Sequence, residues 1–428
     1  MYCGNCLRDN SLVSAYRSRG HAVTMVPLYL PLTLDETDHT AGTPIFFGGV
    51  NVYLDHKAAA FRSAPEWLRR WLAHPALLAW TSRFAARTRP EDVADLTLSM
   101  LRGEEGNQAR DLSEFIDWLR TQPRPEVVCL SNALLLGMAR RLKTDLGVRV
   151  VCQLSGEDAF LDAMSEPLRS DIWSTLTDRA RDVDAFVAPS AYFASRMGAR
   201  MNIPASRLHV VPLGLNLAGY PKPEIESPVP PATPTIGYLA RMCRDKGLDT
   251  LVEAFIEVRR RDRVKGVRLK IGGSCGPSDE PLVAELRARL HGVGLLGEVE
   301  FHPNLDRAAK IEFLRSLSVF SVPALYGEAF GLYLLEAMAA GVPLVQPRHA
   351  GFPEVIAQTG GGLLCKPDSP LALAETLEDL LSDPIQRGAL ARAGHRAVHE
   401  RHGVDAVAER MIEVLKASPA AAEPADRT

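Results

Sequence analysis

The sequence predicts an α/β protein with two domains, each built on a parallel sheet covered by helices. Two observations support this prediction. From residue 120 onward, short runs rich in Val and Ile alternate with segments of helical periodicity, which is typical of parallel βα repeats. In addition, 428 residues are too many for one compact core, since domains commonly hold about 100–200 residues.

Apolar runs of strand length occur in two sets, one in each half of the chain. In the first half they lie at 22–28, 126–130, 149–154, 184–188 and 208–212. In the second half they lie at 235–240, 267–272, 298–301, 319–322, 342–346 and 362–365. Closely spaced prolines separate the two sets, and these residues cannot continue a helix or a central strand. We therefore expect a linker between two domains.

The resulting plan is a first domain at 1–220 with a helical insertion at about 56–120, a linker at 221–234, a second domain at 235–399, a last helix at 400–418 and a tail at 419–428. The last helix is expected to pack back on the first domain. The tail is rich in Ala, Pro and Glu and has too little apolar content to pack, so we expect it to be disordered.

Composition excludes several classes of protein. The formal net charge of -3 and the pI near 6.4 lack the basic excess of nucleic-acid-binding proteins, so we expect no DNA or RNA partner. Charged residues interrupt every apolar run before the roughly 18–20 residues that a membrane span needs, and the N-terminus lacks a signal-peptide pattern. These features predict a cytoplasmic protein. The seven scattered cysteines indicate no disulfide framework.

Residues 61–89 interleave Trp67, Trp71 and Trp80 with several arginines in a helix-compatible pattern. One interpretation is a helical insertion that packs its tryptophans on the first domain. The other is a peripheral membrane contact at the inner face of the membrane, where a lipid acceptor would be reached. The sequence leaves both interpretations open.

A buried carboxylate is predicted in the second domain. The segment 326–343 is expected to form a loop, then a helix that begins near Phe330 and stops at Gly341. Apart from Glu336, residues 329–345 are uncharged, so this helix should be buried on nearly every side. Burial of a carboxylate is costly unless a partner compensates it, which predicts either ligand hydroxyl groups or a core Arg beside Glu336.

Glu328 lies just before this helix and next to a predicted anion site. The first backbone N–H groups, at Phe330, Gly331 and Leu332, combine with the positive end of the helix dipole. A sugar diphosphate would supply an anion for these N–H groups and hydroxyl groups for the two glutamates.

A second loop adds positive charge. Arg241 and Lys246 follow the strand predicted at 235–240 and precede an amphipathic helix. In an open parallel sheet, ligands bind beyond the carboxyl ends of the strands, where these two side chains would stand. There they could stabilise the charge on a departing nucleoside diphosphate. The alternative is a solvated loop with an ion pair to Asp245, which suits Arg244 better than the other two cations.

These motifs resemble those of family 4 glycosyltransferases, also described as glycosyl transferases group 1. The resemblance extends over nearly the whole chain and is carried by Arg241-x4-Lys246-Gly247, Glu328-x7-Glu336 and Gly351-Phe352-Pro353-Glu354. It implies the GT-B fold, in which two Rossmann-like domains face each other across a cleft, the second of them binding the nucleotide sugar.

The resemblance also implies roles for four residues. Arg241 and Lys246 would bind the donor diphosphate, Glu328 the donor sugar and Glu336 the ribose. The implied reaction is transfer of a sugar, with retention, from a UDP- or GDP-sugar to an unknown hydroxyl acceptor, without a catalytic metal or another cofactor. The leaving phosphate would itself help to deprotonate the acceptor, because no residue is an obvious covalent nucleophile.

Further donor contacts are predicted in the second domain. Gly272 and Gly273 follow a strand and would let the backbone approach the nucleotide, although a simple tight turn explains them equally well. His302 lies where the base-binding loop of the family usually falls. The alternative for His302 is a capped turn residue.

The first domain departs from the family pattern in two places. Many relatives carry a His after the strand at 149–154, whereas this chain has Ser155-Gly156-Glu157-Asp158. Glu157 or Asp158 would orient the donor sugar or accept a proton from the acceptor, and helix capping by Asp158 is the alternative. The chain also opens directly with a helix where relatives have a strand, which suggests that Met1 is an internal methionine.

Two apparent metal motifs are set aside. Cys3-x2-Cys6 has no second pair of ligands at zinc spacing. Asp182-x-Asp184 precedes a strand and so lies at the wrong end of the sheet. A dinucleotide oxidoreductase is also disfavoured, because no segment combines Gly-x-Gly-x-x-Gly with a later acidic residue. The remaining alternative is a catalytically inactive nucleotide-sugar-binding protein, motivated by the missing strand and the absent His.

Overall fold

A computed structural model describes residues 4–28, 36–40, 42–47, 90–222 and 231–417. The Trp/Arg segment at 61–89, most of the predicted linker, the tail at 419–428 and residues 1–3 lie outside the described residues. The described residues form two compact units. We call the N-terminal unit the part within 12–211 and 408–417, and the C-terminal unit the part within 4–11 and 212–407.

The N-terminal unit contains a parallel sheet of four strands in the order β1-β2-β3-β4. The strands are β1 (Val127–Leu130), β2 (Arg149–Gln153), β3 (Ala185–Ala188) and β4 (Leu208–Val210). All four coincide with predicted strands. The interior strand β3 is apolar and buried at every position, as expected for a parallel strand with neighbours on both sides.

Seven helices are described before the second sheet begins. They are α1 (Gly4–Ser18), α2 (Pro90–Leu101), α3 (Ala109–Thr121), α4 (Ala139–Leu146), α5 (Glu157–Asp162), α6 (Leu168–Arg179) and α7 (Ala191–Arg200). Local sequence sets several of their ends. Ser190 caps α7 by accepting a hydrogen bond from the backbone N–H of Phe193, and Gly147 ends α4 in the left-handed conformation.

The strand predicted at 22–28 is wrong, because this segment is irregular. The carbonyl of Val23 accepts hydrogen bonds of 3.0 and 2.8 Å from the guanidinium of Arg17. The carbonyl of Met25 accepts one of 3.1 Å from Oγ1 of Thr43. Side chains therefore satisfy carbonyl groups that a neighbouring strand would otherwise have to satisfy.

The C-terminal unit contains a parallel sheet of six strands in the order β10-β9-β8-β5-β6-β7. The strands are β5 (Thr235–Leu239), β6 (Arg268–Gly273), β7 (Val299–Pro303), β8 (Val319–Phe320), β9 (Leu344–Pro347) and β10 (Gly362–Cys365). Each predicted strand of the second half is formed, with ends that lie within two residues of the prediction.

Helices cover this second sheet. They are α8 (Leu248–Arg261), α9 (Glu280–Gly292), α10 (Arg307–Arg315), α11 (Leu332–Ala339), α12 (Phe352–Thr359), α13 (Pro370–Ser382) and α14 (Pro384–Arg401). The last helix, α15 (Val404–Lys416), begins in this unit and belongs to the N-terminal unit from residue 408 onward. The amphipathic helix predicted after Lys246 is confirmed as α8, whose apolar residues Leu248, Leu251, Val252, Phe255 and Val258 are buried in the core of the unit. None of the helices in the described part of the chain combines the length and apolar character needed to cross a bilayer.

Candidate functional site

Two loops of the C-terminal unit meet at the carboxyl edge of its sheet. The first follows β5 and leads into α8, and the second follows β8 and leads into α11. Because β5 and β8 are paired neighbours, their carboxyl ends lie side by side. The backbone N–H of Leu325 donates to the carbonyl of Asp245 at 2.9 Å, which joins the two loops directly.

Gly247 is the residue that lets the first loop approach the second. Its φ of +69° is in the left-handed region, and a Cβ at this position would lie 1.9 Å from the carbonyl oxygen of Pro323. Only glycine fits such a position without displacement of the backbone. Lys246, the residue before it, is thereby held against the second loop.

Lys246 and Glu328 form an ion pair at this junction. The Nζ atom lies 2.5 Å from Oε2 of Glu328, and both side chains are largely buried. The hydroxyl groups of Tyr326 and Tyr333 each donate to the same oxygen at 2.9 Å, and Lys246 also donates to Tyr326. The ammonium lies 4.8 and 5.2 Å from the two ring centroids, within cation–π range. We call these four residues the Glu328 cluster.

The cluster fixes the charge on Glu328. Burial by itself would raise the pKa of this carboxyl group, but the Lys246 ammonium and the donated hydrogen bonds outweigh burial and leave the pKa below its usual value. Burial and the neighbouring carboxylate raise the pKa values of Tyr326 and Tyr333. Glu328 is therefore an anion and both tyrosines are neutral donors near neutral pH.

The two oxygens of Glu328 differ in their surroundings. Every contact of the cluster goes to Oε2, and no described residue donates to Oε1. A carboxylate oxygen accepts hydrogen bonds only, so Oε1 retains the capacity to accept one from a ligand hydroxyl group.

Arg241 lies on the same loop as Lys246 and is held by an acidic residue. Its side chain is 48% exposed, and it forms an ion pair of 2.8 Å with Asp279, which precedes α9. The hydrogen bonds to Asp279 raise the pKa of Arg241. Arg244 instead pairs on the surface with Asp249 and Glu285, so its interpretation as a solvated cation is confirmed, although its partner is not Asp245.

Glu336 has the polar partner that its burial predicts. Oε1 lies 2.7 Å from Nζ of Lys310 on α10, and the two side chains are 12% and 17% exposed. The core Arg considered for this position is wrong, because the partner is a lysine. A contact from Glu336 to ribose stays a prediction.

Helix α11 begins at Leu332, two residues later than predicted. Gly331 adopts φ +87° at the N-cap, and no side chain caps the helix. The first N–H groups of a helix lack intrahelical partners, so these groups remain suited to an anion. Phe330 is 2% exposed, so any contribution it makes to ligand binding comes from its backbone.

The remaining predicted residues of this unit lie on β6 and β7. Gly272 pairs with His302 across the two strands. Gly273 has φ +126°, and a Cβ there would lie 1.9 Å from the carbonyl oxygen of Ala240, so close approach of the two loops requires glycine. His302 lies inside β7 with Nε2 3.0 Å from Oε2 of Glu300, so the turn alternative for His302 is wrong. Base binding by His302 stays a prediction.

Glu157 and Asp158 lie in the N-terminal unit and are buried. Glu157 accepts hydrogen bonds of 2.8 Å from the backbone N–H groups of Ala133 and Ser155, and so ties together the loops after β1 and β2. Asp158 pairs with Arg196. Helix capping by Asp158 is wrong, because Gly156 occupies the N-cap of α5 and no side chain caps it. A catalytic role for either carboxylate stays a prediction.

Sequence reasoning missed four residues of the site. Tyr326 and Tyr333 stand two positions before and five after Glu328, so the sequence held a signal for them. Asp279 and Lys310 reach Arg241 and Glu336 only through the fold, and no spacing pattern points to them. Within the described ranges, no group of three His, Cys, Asp or Glu residues could hold a metal ion.

Two family models match the chain in succession. The family described as "Glycosyl transferase 4-like domain" matches residues 10–214. The family described as "Glycosyl transferases group 1" matches residues 223–397, which include Arg241 and the Glu328 cluster.

Curated relatives align over part of their length. A D-inositol 3-phosphate glycosyltransferase of Xylanimonas cellulosilytica is 31% identical over 242 residues, covering 54% of this chain and 56% of the relative. A GDP-mannose-dependent alpha-(1-6)-phosphatidylinositol monomannoside mannosyltransferase of Mycobacterium tuberculosis is 29% identical over 252 residues, covering 56% and 63%. The chain spans about half the length of the Xylanimonas cellulosilytica relative and of two further D-inositol 3-phosphate glycosyltransferases that it matches.

Solved structures of low identity share the fold. The Anabaena protein HepE in complex with UDP-glucose has a TM-score of 0.59 and 16% identity, covering 91% of this chain and 98% of that chain. Sucrose-phosphate synthase from Thermosynechococcus elongatus has a TM-score of 0.59 and 20% identity, covering 71% and 77%. Together with the two parallel sheets, these likenesses confirm the GT-B class of α/β fold.

Proposed function

This chain belongs to the glycosyl transferases group 1 family, and we propose that it transfers a sugar from a nucleoside diphosphate sugar to a hydroxyl acceptor with retention of configuration. One observation carries the proposal. Arg241, Lys246 and Glu328, which the motifs assigned to the diphosphate and sugar, stand together on two joined loops at the carboxyl edge of one sheet.

The relatives support a nucleotide-sugar donor. The mannosyltransferase named above is GDP-mannose-dependent, and HepE was solved with UDP-glucose. The nucleotide sugars of these two proteins differ in both base and sugar, so we propose only the class of donor. The acceptor is a hydroxyl group of a glycan, a lipid or a small metabolite.

In the proposed reaction, the bond between the anomeric carbon and the diphosphate oxygen breaks while the acceptor oxygen bonds to the same face of that carbon. Negative charge develops on the leaving diphosphate, and the guanidinium of Arg241 and the ammonium of Lys246 stabilise it. The backbone N–H groups at the start of α11 add to this effect. The leaving phosphate takes the proton of the acceptor hydroxyl. This chemistry calls for neither a metal ion nor another cofactor.

The glutamates orient the donor in this scheme. Oε1 of Glu328 accepts a hydrogen bond from a sugar hydroxyl, while Oε2 stays with Lys246 and the two tyrosines. Glu336, held by Lys310, accepts hydrogen bonds from the ribose hydroxyl groups. Because both carboxylates are already paired within the protein, their oxygens are held in fixed positions. Less side-chain entropy is therefore lost when they accept hydrogen bonds from the sugar donor.

The proposal is tested by incubating the full chain with a panel of UDP- and GDP-sugars, each with glycan, lipid and small-metabolite hydroxyl acceptors and with water alone, and measuring released nucleoside diphosphate. We expect release from at least one donor, and loss of release in Glu328→Ala and Arg241→Ala. Matched controls are Glu312→Ala and Arg260→Ala, which remove an exposed carboxylate and an exposed guanidinium of the same unit and should leave release unchanged.

Two results would contradict the proposal. Tight binding of UDP or GDP without release from any sugar donor would favour an inactive binding protein. A product of inverted anomeric configuration, read from its proton NMR coupling, would agree with a glycosyltransferase but would exclude retention of configuration.

A further inference from the structure

A buried carboxylate outside the family motifs holds Arg241 along one edge of its guanidinium. Asp279 is 3% exposed, and both of its oxygens accept from Nε of Arg241, at 2.9 and 3.1 Å. Nη2 lies 2.8 Å from Oδ1 of Asp279 and donates to Oγ of Ser278 at 3.2 Å. The Nε and Nη2 donors of Arg241 are thus taken up by the loop that precedes α9.

The other edge of the guanidinium keeps its donors. A guanidinium carries five N–H groups in one rigid plane, two of them on Nη1. No described residue accepts a hydrogen bond from Nη1 of Arg241. Since about half of the side chain is exposed, the two N–H groups of Nη1 are available to phosphate oxygens, to which charged N–H donors make strong hydrogen bonds.

Asp279 holds Arg241 in place of capping its own helix. It occupies the N-cap of α9, where an aspartate usually accepts from a backbone N–H two or three residues later. It makes no such hydrogen bond. Oδ2 accepts instead from the backbone N–H of Gly276 at 3.1 Å, and the backbone N–H of Asp279 donates to the carbonyl of Gly276 at 2.8 Å. These hydrogen bonds within the loop hold the carboxylate of Asp279 where it faces Arg241.

We propose that Asp279 is a positioning residue that orders Arg241 before the donor arrives and aims its Nη1 edge at the diphosphate. This inference rests on the proposed function. An arginine that is free to rotate loses side-chain entropy when it binds, and an arginine already held loses little. The charge of Asp279 does not oppose the donor strongly, because the guanidinium lies against it and pairs with it.

Two substitutions separate this role from a structural one. Asp279→Asn keeps an oxygen that can accept from Gly276 but removes the charge that holds Arg241. Asp279→Ser can cap α9 but cannot reach Arg241 in the same way. In both variants we expect the dissociation constants of UDP and GDP, measured by calorimetry, to rise about tenfold or more, as for loss of a charged hydrogen bond. The KM for the donor should rise by a similar factor, with a smaller change in kcat.

A double-mutant cycle shows whether the effect passes through Arg241. If Asp279 acts by holding this side chain, adding Asp279→Ser to Arg241→Ala weakens UDP and GDP binding little further. Additive losses would show that Asp279 only shapes its loop, and would overturn the inference. Tighter binding in Asp279→Asn would show that Asp279 competes with the donor for Arg241, and would overturn it as well.

Controls separate this inference from the proposed function. Glu285→Ala removes another carboxylate of α9, one that pairs with the neighbouring Arg244, and should leave UDP and GDP binding unchanged. If the wild-type chain binds neither UDP nor GDP, the proposed function and the inference both fail. If the wild-type chain binds and both Asp279 variants bind equally well at the same melting temperature, the positioning role alone fails.

Discussion

The ion pair of Glu328 explains how a carboxylate can stay charged where the chain is mostly buried. Three donors, from Lys246, Tyr326 and Tyr333, converge on one of its oxygens. A pair of this kind gives modest net stability, but removing one partner leaves the other buried and unpaired. Glu328 is therefore linked to folding as well as to its proposed contact with the donor sugar.

This linkage predicts how stability depends on pH. The pKa of Glu328 is lower in the folded chain than its ordinary value of 4.5. The group therefore contributes stability above about 4.5, and this contribution is lost as the pH falls through the lower folded pKa. We expect Glu328→Gln to lower the free energy of unfolding by about 1–3 kcal/mol at neutral pH.

The difference between wild type and Glu328→Gln should shrink as the pH falls below 4.5, because protonation then makes the wild-type side chain neutral, as glutamine is at every pH. Urea unfolding of both proteins over a series of pH values measures this difference in the free energy of unfolding. Glu312→Gln, at an exposed position, serves as the control and should show little difference at any pH. A difference between wild type and Glu328→Gln that stays constant with pH would show that the charge is not what the cluster stabilises.

Individual residues were predictable to different degrees. Glu336 stood out because a lone carboxylate in an apolar helix needs a partner, and the structure supplies Lys310. The identity of that partner was not predictable, since Lys310 and Glu336 stand 26 positions apart in the sequence with a strand between them. Asp279 was missed for the same reason, because only the packing of the loop before α9 brings it to Arg241.

Strands and helices of the C-terminal unit follow closely from the sequence. Continuous apolar runs mark parallel strands that are buried on both faces, and all six were found in this way. The segment at 22–28 is also mostly apolar but forms no strand, and the carbonyl groups of Val23 and Met25 accept hydrogen bonds from Arg17 and Thr43. Apolar composition alone does not distinguish these two outcomes.

The turn between β5 and α8 depends on one glycine. At Gly247 the positive φ and the contact with Pro323 both exclude a side chain. We expect Gly247→Ala to lower the free energy of unfolding by more than about 1 kcal/mol, because the strained conformation and the clash add together. Release of nucleoside diphosphate should fall too, since Lys246 would move with the loop.

Gly292→Ala is the matched control for this prediction. Gly292 ends α9, has no positive φ and would place its Cβ in open space. Alanine there should be neutral or stabilising by up to about 1 kcal/mol. Denaturant midpoints of the two variants give the comparison, and equal midpoints would contradict the assigned role of Gly247.

The whole chain divides its predicted site residues between two units. Arg241, Lys246, Glu328 and Glu336 all belong to the C-terminal unit, and their roles toward a donor stay predictions. Glu157 and Asp158 belong to the N-terminal unit, and their carboxylates contact backbone N–H groups and Arg196 of the protein itself. The juxtaposition of Lys246 and Glu328 was more predictable from sequence than the contacts of Glu157 and Asp158, because the motifs of the C-terminal unit combine charge, glycine and helix position in short segments.

The charges of the C-terminal unit lead to a prediction about metal ions. Arg241 and Lys246, although paired with Asp279 and Glu328, place two cationic groups beside the proposed diphosphate position, where other phosphate sites use a divalent cation. We therefore expect nucleoside diphosphate release to be the same in excess EDTA as in Mg²⁺. Lys246→Ala should lower kcat/KM by roughly 100-fold or more in either condition, because no ion replaces the lost ammonium. Loss of release in EDTA, with recovery on adding Mg²⁺, would mean that a metal ion carries the charge here assigned to the two side chains.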